Sequence, residues 1–488
     1  MVSLNKPNND VAMAMLDLPN YTFDQLFDYH DKYLKRTEVK REQAVKDAEA
    51  VYERECYMRD GTFDIFDDYF TTEDNLIQEW TAFGESTMDC YPEYHTASMI
   101  TLLGHLFPAK MTPQYSKNGI YNNMWCIVLG NSGCGKSIGC GSAVGVAYEE
   151  CISPYFSRIP NKFTPESLTQ SLSEGSRRFH YSNEAVGFLK NMKRDYAGEL
   201  PEDLTNAYDG ERVSKQTIKM GTISCEHPLY SAIWNTTIDS WAKNASEDGF
   251  TSGMLLRPFY VISTRERKLK MDCAMNDTQT KMRAKFIANL LELLELVHGK
   301  VVEGIIPHPR VIVFEESTYL NDWKFGLRED SNRGKYTNIE QSALQRVFDQ
   351  SRKLAMNLTI SSKWFRDYVK AQNKKEAPTE GALQSVNNEL ACNIPDEIAE
   401  VACHVAEMMF WKNSVKALKA TYTTGVYDKI LRAFDGTDKK LSKSELGSIA
   451  CITGERLTEV LRDLGLEHQK MHVPGSCRPV DYYWVPNK

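Results

Sequence analysis

The chain has 488 residues, room for roughly two to four domains with substantial cores. Its 42% hydrophobic and 25% charged residues are ordinary for a globular protein, no apolar run reaches membrane-spanning length, and a net charge of −8 excludes nucleic-acid binding driven by bulk charge. The 12 cysteines are scattered without a C-x-x-C pair or a His–Cys cluster; with no signal-peptide pattern, they read as reduced thiols of a cytoplasmic protein, which argues against a disulfide framework or a zinc site. In chain order, residues 1–95 read as a helical N-terminal region. Its stretch from Tyr29 to Asp60 has the mixed charge of a solvated helix face and ends at the Asp60-Gly61 turn.

Residues 96–270 read as an α/β core. His95–Leu106 has the character of an apolar helix, and Trp125–Leu129 that of a buried strand. Next comes Gly130-Asn131-Ser132-Gly133-Cys134-Gly135-Lys136-Ser137, which fits G-x-x-x-x-G-K-[ST] at every fixed position. Glycines allow a nest of backbone N–H groups around phosphate, Lys136 neutralises β/γ oxygens, and Ser137 offers a hydroxyl to Mg2+. The helix that begins there, through Ile138, adds its dipole. The expected ligands are ATP and Mg2+.

Hydrolysis needs an acid at the end of a neighbouring strand to orient the attacking water. Two segments compete: Arg177–Ser182 followed by Asn183-Glu184, and Val311–Phe314 followed by Glu315-Glu316. Chain order favours Glu184, because in additional-strand ATPases the acid strand follows soon after the phosphate-loop helix. The strand Leu229–Ile233 then runs into Trp234-Asn235-Thr236-Thr237, where Asn235, or second Thr236, suits a γ-phosphate sensor. Arg257, at the mouth of the strand from Pro258 to Val261, suits a finger reaching a neighbouring subunit, with a structural ion pair as the alternative.

Residues 271–425 read as a helical lid region, with Glu376–Glu380 as the best internal linker candidate. Residues 426–488 read as a winged helix. It comprises a helix capped by Ser442–Glu445, a second from Glu455 to Leu464, and a wing closed by Pro474-Gly475-Ser476. The second helix is not basic; Lys439, Lys440, Lys443, Lys470 and Arg478 are the cations of this module, and protein docking competes with DNA binding.

The order of Trp-initiated strand, phosphate loop, Thr164–Leu168, strand-Asn-Glu, Tyr208-Asp209-Gly210, sensor strand and Ser252–Phe259 resembles the domain of unknown function 3987 family, helicase-like P-loop ATPases of mobile elements. The resemblance covers roughly residues 80–420 and implies kinship with AAA+ and superfamily 3 helicases. It implies a homo-oligomeric ring, a hexamer, acting on single-stranded or forked DNA, with a primase or other replication protein as partner. A channel hairpin gripping phosphates falls at Gly210–Gly221, with Arg212, Lys215 and Lys219 as contacts and an exposed edge hairpin with ordinary lysines as the alternative. The family usually has Asp-Glu where this chain has Asn183-Glu184, so the metal set Ser137, Asn183 and Glu184 lacks one carboxylate. The sequence therefore leaves two functions open: a DNA-acting motor, or a nucleotide-switched assembly, loader or defence protein without unwinding.

Overall fold

The computed structural model describes residues 75–112, 119–192, 199–217, 221–245, 249–250, 252–262, 274–304, 306, 310–333, 338–375, 389–418, 430, 433–434, 440–450, 454–463, 466–471 and 479–484. The mixed-charge segment 29–60, Lys219, the linker candidate 376–380, Lys439 and Arg478 lie outside these residues. The described chain is mixed α/β with parallel sheets, as composition and pattern lead one to expect.

In chain order the strands are β1 (Ala109–Met111), β2 (Ile120–Tyr121), β3 (Trp125–Leu129), β4 (Arg177–Ser182), β5 (Val213–Thr217) and β6 (Gly221–Cys225). They continue with β7 (Leu229–Thr236), β8 (Phe259–Ile262), β9 (Val311–Glu315), β10 (Glu389–Asn393), β11 (Leu441–Ser442), β12 (Glu467–Met471) and β13 (Val480–Trp484). One sheet has the order β4-β7-β3-β8, and every pair in it is parallel. Three of its strands, β3, β7 and β8, are buried along their whole length, and β3 and β8 accordingly read as unbroken apolar runs. A parallel bridge from Arg158 to Phe179 extends the β4 edge.

Helix Pro92–Leu106 is buried from Glu93 to Leu106 and lies behind the main sheet, packed on helix Lys136–Val146. A helix buried all round shows no amphipathic stripe, hence its faint periodicity in sequence. The start of this helix, with the preceding helix Leu76–Thr87, belongs to the body of the α/β unit. The expected boundary at residue 96 therefore cuts through a helix.

A second sheet, β10-β9-β1-β2, joins residues on either side of the first. β9 is parallel to β1 and β10, with Ile312, Phe314, Leu390 and Cys392 buried on one face and alternate residues more exposed. Residues 271–425 are thus not helical alone, because two of their strands complete a sheet begun at Ala109. Asn122 ties the crossing point: its side chain accepts from Ala109 N and donates to Phe107 O and to Asn357 of helix Asn338–Ser361.

The C-terminal segment has the order β11, helix Lys443–Ala450, helix Gly454–Asp463, β12, β13, with the antiparallel sheet β11-β13-β12. Ile430, Phe434, Leu446, Leu457, Leu461 and Tyr483 belong to a hydrophobic cluster of its own. Ser442 caps the first helix with Glu445, whose carboxylate accepts from Ser442 N at 2.8 Å. The wing tip at 472–478 lies outside the described residues.

Candidate functional site

β3 delivers the chain into the glycine-rich turn, and helix Lys136–Val146 starts at its end. Gly133 and Gly135 have φ of 79° and 82°, the left-handed region open to glycine. At Gly135 there is also no room: a Cβ would stand 2.5 Å from Cys90 Cβ and 2.6 Å from Asp89 O. Segment 89–94 therefore forms the wall behind the turn. Tyr94 Oη meets Cys134 Sγ at 3.2 Å, and burial raises that hydroxyl's pKa well above its ordinary value, so it stays neutral.

Lys136 Nζ folds back to donate to Gly130 O and Asn131 O, each at 2.6 Å, with Cys134 Sγ at 3.5 Å. A buried ammonium held only by carbonyls and a thiol has no anionic partner in these contacts, the setting in which phosphate oxygens are the natural counter-charge. Ser137 is exposed at the first turn of the helix. Asn131, Ser132 and Ile138 are exposed as well, on the open side of the loop.

The two acid segments fall in different sheets. β4 lies in the same parallel sheet as β3, separated from it by β7, and ends at Asn183-Glu184. Both residues are exposed just beyond the strand, and Ala185 N donates to Asn235 O at 2.9 Å, which docks the turn on β7. β9 lies in the other sheet. Glu316 there is buried and bound by Arg352. Glu315 and Glu316 therefore stand away from the loop's sheet, and Glu184 is the acid beside it.

Asn235 is fully buried, in register with Val128 of β3. Its Nδ2 lies 3.5 Å from both Lys136 O and Asn183 Oδ1, and its Oδ1 has no hydrogen-bond partner. Thr236 Oγ1 is likewise buried without one. An orphaned buried amide oxygen costs about 1–3 kcal/mol, a cost tolerated where a ligand or water completes the set. Tyr181 joins this group: its hydroxyl donates to Asn183 Oδ1 and approaches Ser137 O at 3.5 Å. Burial raises the pKa of Tyr181, keeping it a donor. The sequence reading missed Tyr181. Its signal was its place two residues before Asn183, on the same side of β4.

Arg257 does not join this cluster. It precedes β8, at the N-terminal edge of the parallel sheet, whereas the loop leaves the C-terminal edge of β3. Its side chain is 4% exposed, with Nη2 at 2.5 Å from Asp209 Oδ2 and Nη1 donating to Gly253 O at 2.7 Å. Gln350 and Lys353 of helix Asn338–Ser361 fill out the surroundings. Gln350 donates to Arg257 O, and Lys353 Nζ donates to Asn123 O and Tyr208 O. The geometry is that of a structural ion pair, the alternative to a finger.

The hairpin β5–β6 also departs from the channel reading. Lys215 is 14% exposed and bound to Glu199 and, at 3.1 Å, to Asp203; Arg212 pairs with Glu226 at 3.2 Å. Lys215 ties the hairpin to helix Leu200–Asp209, while the Arg212–Glu226 pair is exposed and spans the hairpin itself.

No protein-family model matches the chain, and no curated protein matches it. No helix among the described residues is long and apolar enough to cross a membrane, and those residues hold no group of three His, Cys, Asp or Glu suited to a metal ion.

Proposed function

We propose that this chain is a P-loop NTPase of the additional-strand class, binding ATP with Mg2+ at Gly130–Ser137 and hydrolysing it with Glu184. One observation carries the reading: the strand that ends in Asn183-Glu184 shares a parallel sheet with the loop strand, and the strand bearing Asn235 lies between them. That brings phosphate-binding, water-orienting and sensing groups to one edge of one sheet. Lys136 leaves the carbonyls of Gly130 and Asn131 to meet the β/γ oxygens, and the N–H groups of the turn face the phosphates. Ser137, with Asn183 and Glu184 beyond it, would hold Mg2+, which supplies charge neutralisation on the transferred phosphoryl group. Glu184 accepts a hydrogen bond from the attacking water and orients it. Asn235 offers its amide where Lys136 and Asn183 meet.

The resemblance to helicase-like ATPases extends this chemistry to a ring motor on DNA, with the C-terminal segment as a winged helix. A switch or loader is favoured by specific observations: Asn183 in place of a carboxylate, and hairpin cations engaged in ion pairs. Strand displacement on a forked duplex separates the two, with Lys136→Ala as control. ATP-dependent unwinding lost in Lys136→Ala supports the motor. ATP-stabilised oligomers without unwinding support the switch. Absence of any ATP binding by the wild type overturns both.

A further inference from the structure

Helix Lys136–Val146 carries glycine at positions 139, 141 and 145, although each glycine weakens a helix relative to alanine. Tyrosines account for two of the three. A Cβ at Gly139 would stand 2.8 Å from Tyr94 Cβ, and one at Gly141 would stand 3.0 Å from Tyr181 Oη, whereas one at Gly145 would meet nothing within 4 Å. Tyr94 of helix Pro92–Leu106 and Tyr181 of β4 are therefore packed against the first two turns of the loop helix.

Tyr181 does more than fill space. Its hydroxyl donates to Asn183 Oδ1 and lies 3.5 Å from Ser137 O. Asn235 Nδ2, from β7, reaches the same Oδ1 and Lys136 O, each at 3.5 Å. Asn183 Oδ1 is thus the point at which the end of β4 is joined to the first turn of the loop helix. The Tyr181 ring is held independently of its hydroxyl. It is buried, its backbone oxygen accepts from Arg158 Nη2 at 3.2 Å, and the Arg158 guanidinium lies 5.9 Å from the ring centre. A phenylalanine keeps all of this and loses only the link to Asn183.

We propose that Tyr181 is a positioning residue whose hydroxyl sets Asn183-Glu184 against Ser137, and that position 141 is glycine so that this hydroxyl reaches its place. The role rests on the ATP reading, which assigns Mg2+ to Ser137, Asn183 and Glu184. Affinity of the full chain for a fluorescent non-hydrolysable ATP analogue, measured with Mg2+ and with EDTA, tests it, because the ratio isolates the metal-linked part. Tyr181→Phe should lower that ratio about tenfold, the scale on which groups orienting metal ligands act. Gly141→Ala should lower it too, since its Cβ displaces the hydroxyl, whereas Gly145→Ala adds the same methyl to the same helix and should leave it unchanged. Asn183→Ala combined with Tyr181→Phe should lose no more than Asn183→Ala alone, because one residue acts through the other. Equal ratios in wild type and Tyr181→Phe, or losses that multiply in the double variant, overturn the positioning role and leave the ATP reading standing. A wild type that fails to bind the analogue, or gains nothing from Mg2+, overturns both.

Discussion

On the proposed ATPase reading, turnover hinges on Asn183, which stands where a second carboxylate would steady the metal. Tyr181 donates to its Oδ1 and Asn235 reaches it at 3.5 Å, so the amide is held on two sides. An aspartate fits the same space and accepts the same bonds, and it adds the missing negative charge. We expect Asn183→Asp to raise kcat or tighten apparent Mg2+ affinity by about tenfold, the scale on which groups orienting metal ligands act. Steady-state ATPase assays across Mg2+ concentrations check this, and a variant slower than wild type would refute the view that the amide limits the rate. Gly135 gives a second expectation. An alanine there meets left-handed strain and a Cβ contact of 2.5 Å with Cys90, so Gly135→Ala should abolish nucleotide binding and cost about 1–3 kcal/mol of stability. Isothermal titration with a non-hydrolysable ATP analogue and thermal melts read both. The loop was legible in sequence because its chemistry is local: glycines, lysine and serine carry their constraint within eight positions. Arg257 was not, because its partner Asp209 is far away in the chain and nothing local marks the pair.

At the scale of elements, the hairpin β5–β6 shows how a charge pattern misleads. Its cations fall where a phosphate-gripping ribbon would carry them, yet Lys215 lies over helix Leu200–Asp209 and binds Glu199 and Asp203. Asp203 is itself buried; burial, the larger effect, raises its pKa while Lys215 lowers it. Lys215→Gln should therefore loosen the hairpin, lowering stability by about 1 kcal/mol given the partial solvent screening of the pair. Oligothymidylate affinity should not change. Hydrogen exchange in β5 and β6 reports the first effect and anisotropy the second. A clear loss of affinity with no added exchange would restore the channel role. Strands show the same contrast between local and distant information. β4 and β9 both run into acids; chain order favours Glu184, and the partition into two sheets sets it apart from Glu315 and Glu316 in space. The lid reading fell short for the same reason. β10 is a short alternating strand whose identity comes from pairing with β9, not from its own pattern.

At the scale of the whole molecule, buried neutral imidazoles set an acid limit. His95, His180 and His298 are each at most 1% exposed, and burial brings their pKa values down to about 4, about 3 and about 3. His180 is held neutral as an acceptor for Trp234 Nε1 at 3.0 Å, between Phe163, Phe188 and Trp234. His298 stacks on Phe107 and is further disfavoured as a cation by Arg177 and Arg310. In the unfolded chain each imidazole takes a proton near pH 6.5, so the unfolded state binds more protons than the folded one at any pH between the two values. Stability therefore falls as pH drops below about 6.5, by up to about 1.4 kcal/mol per unit for each histidine, and stops falling from this source only near the folded values. Lys353, pushed down to about 7 by burial, titrates above this window and does not set its slope. Urea titrations at about pH 7, 6 and 5 should show the unfolding midpoint moving steadily lower. His298→Phe, which keeps the stacked ring and removes one proton site, should give a shallower pH slope even where it lowers stability at neutral pH. A midpoint flat from pH 7 to 5 would mean that these histidines reach water, and with them the core beneath the parallel sheet.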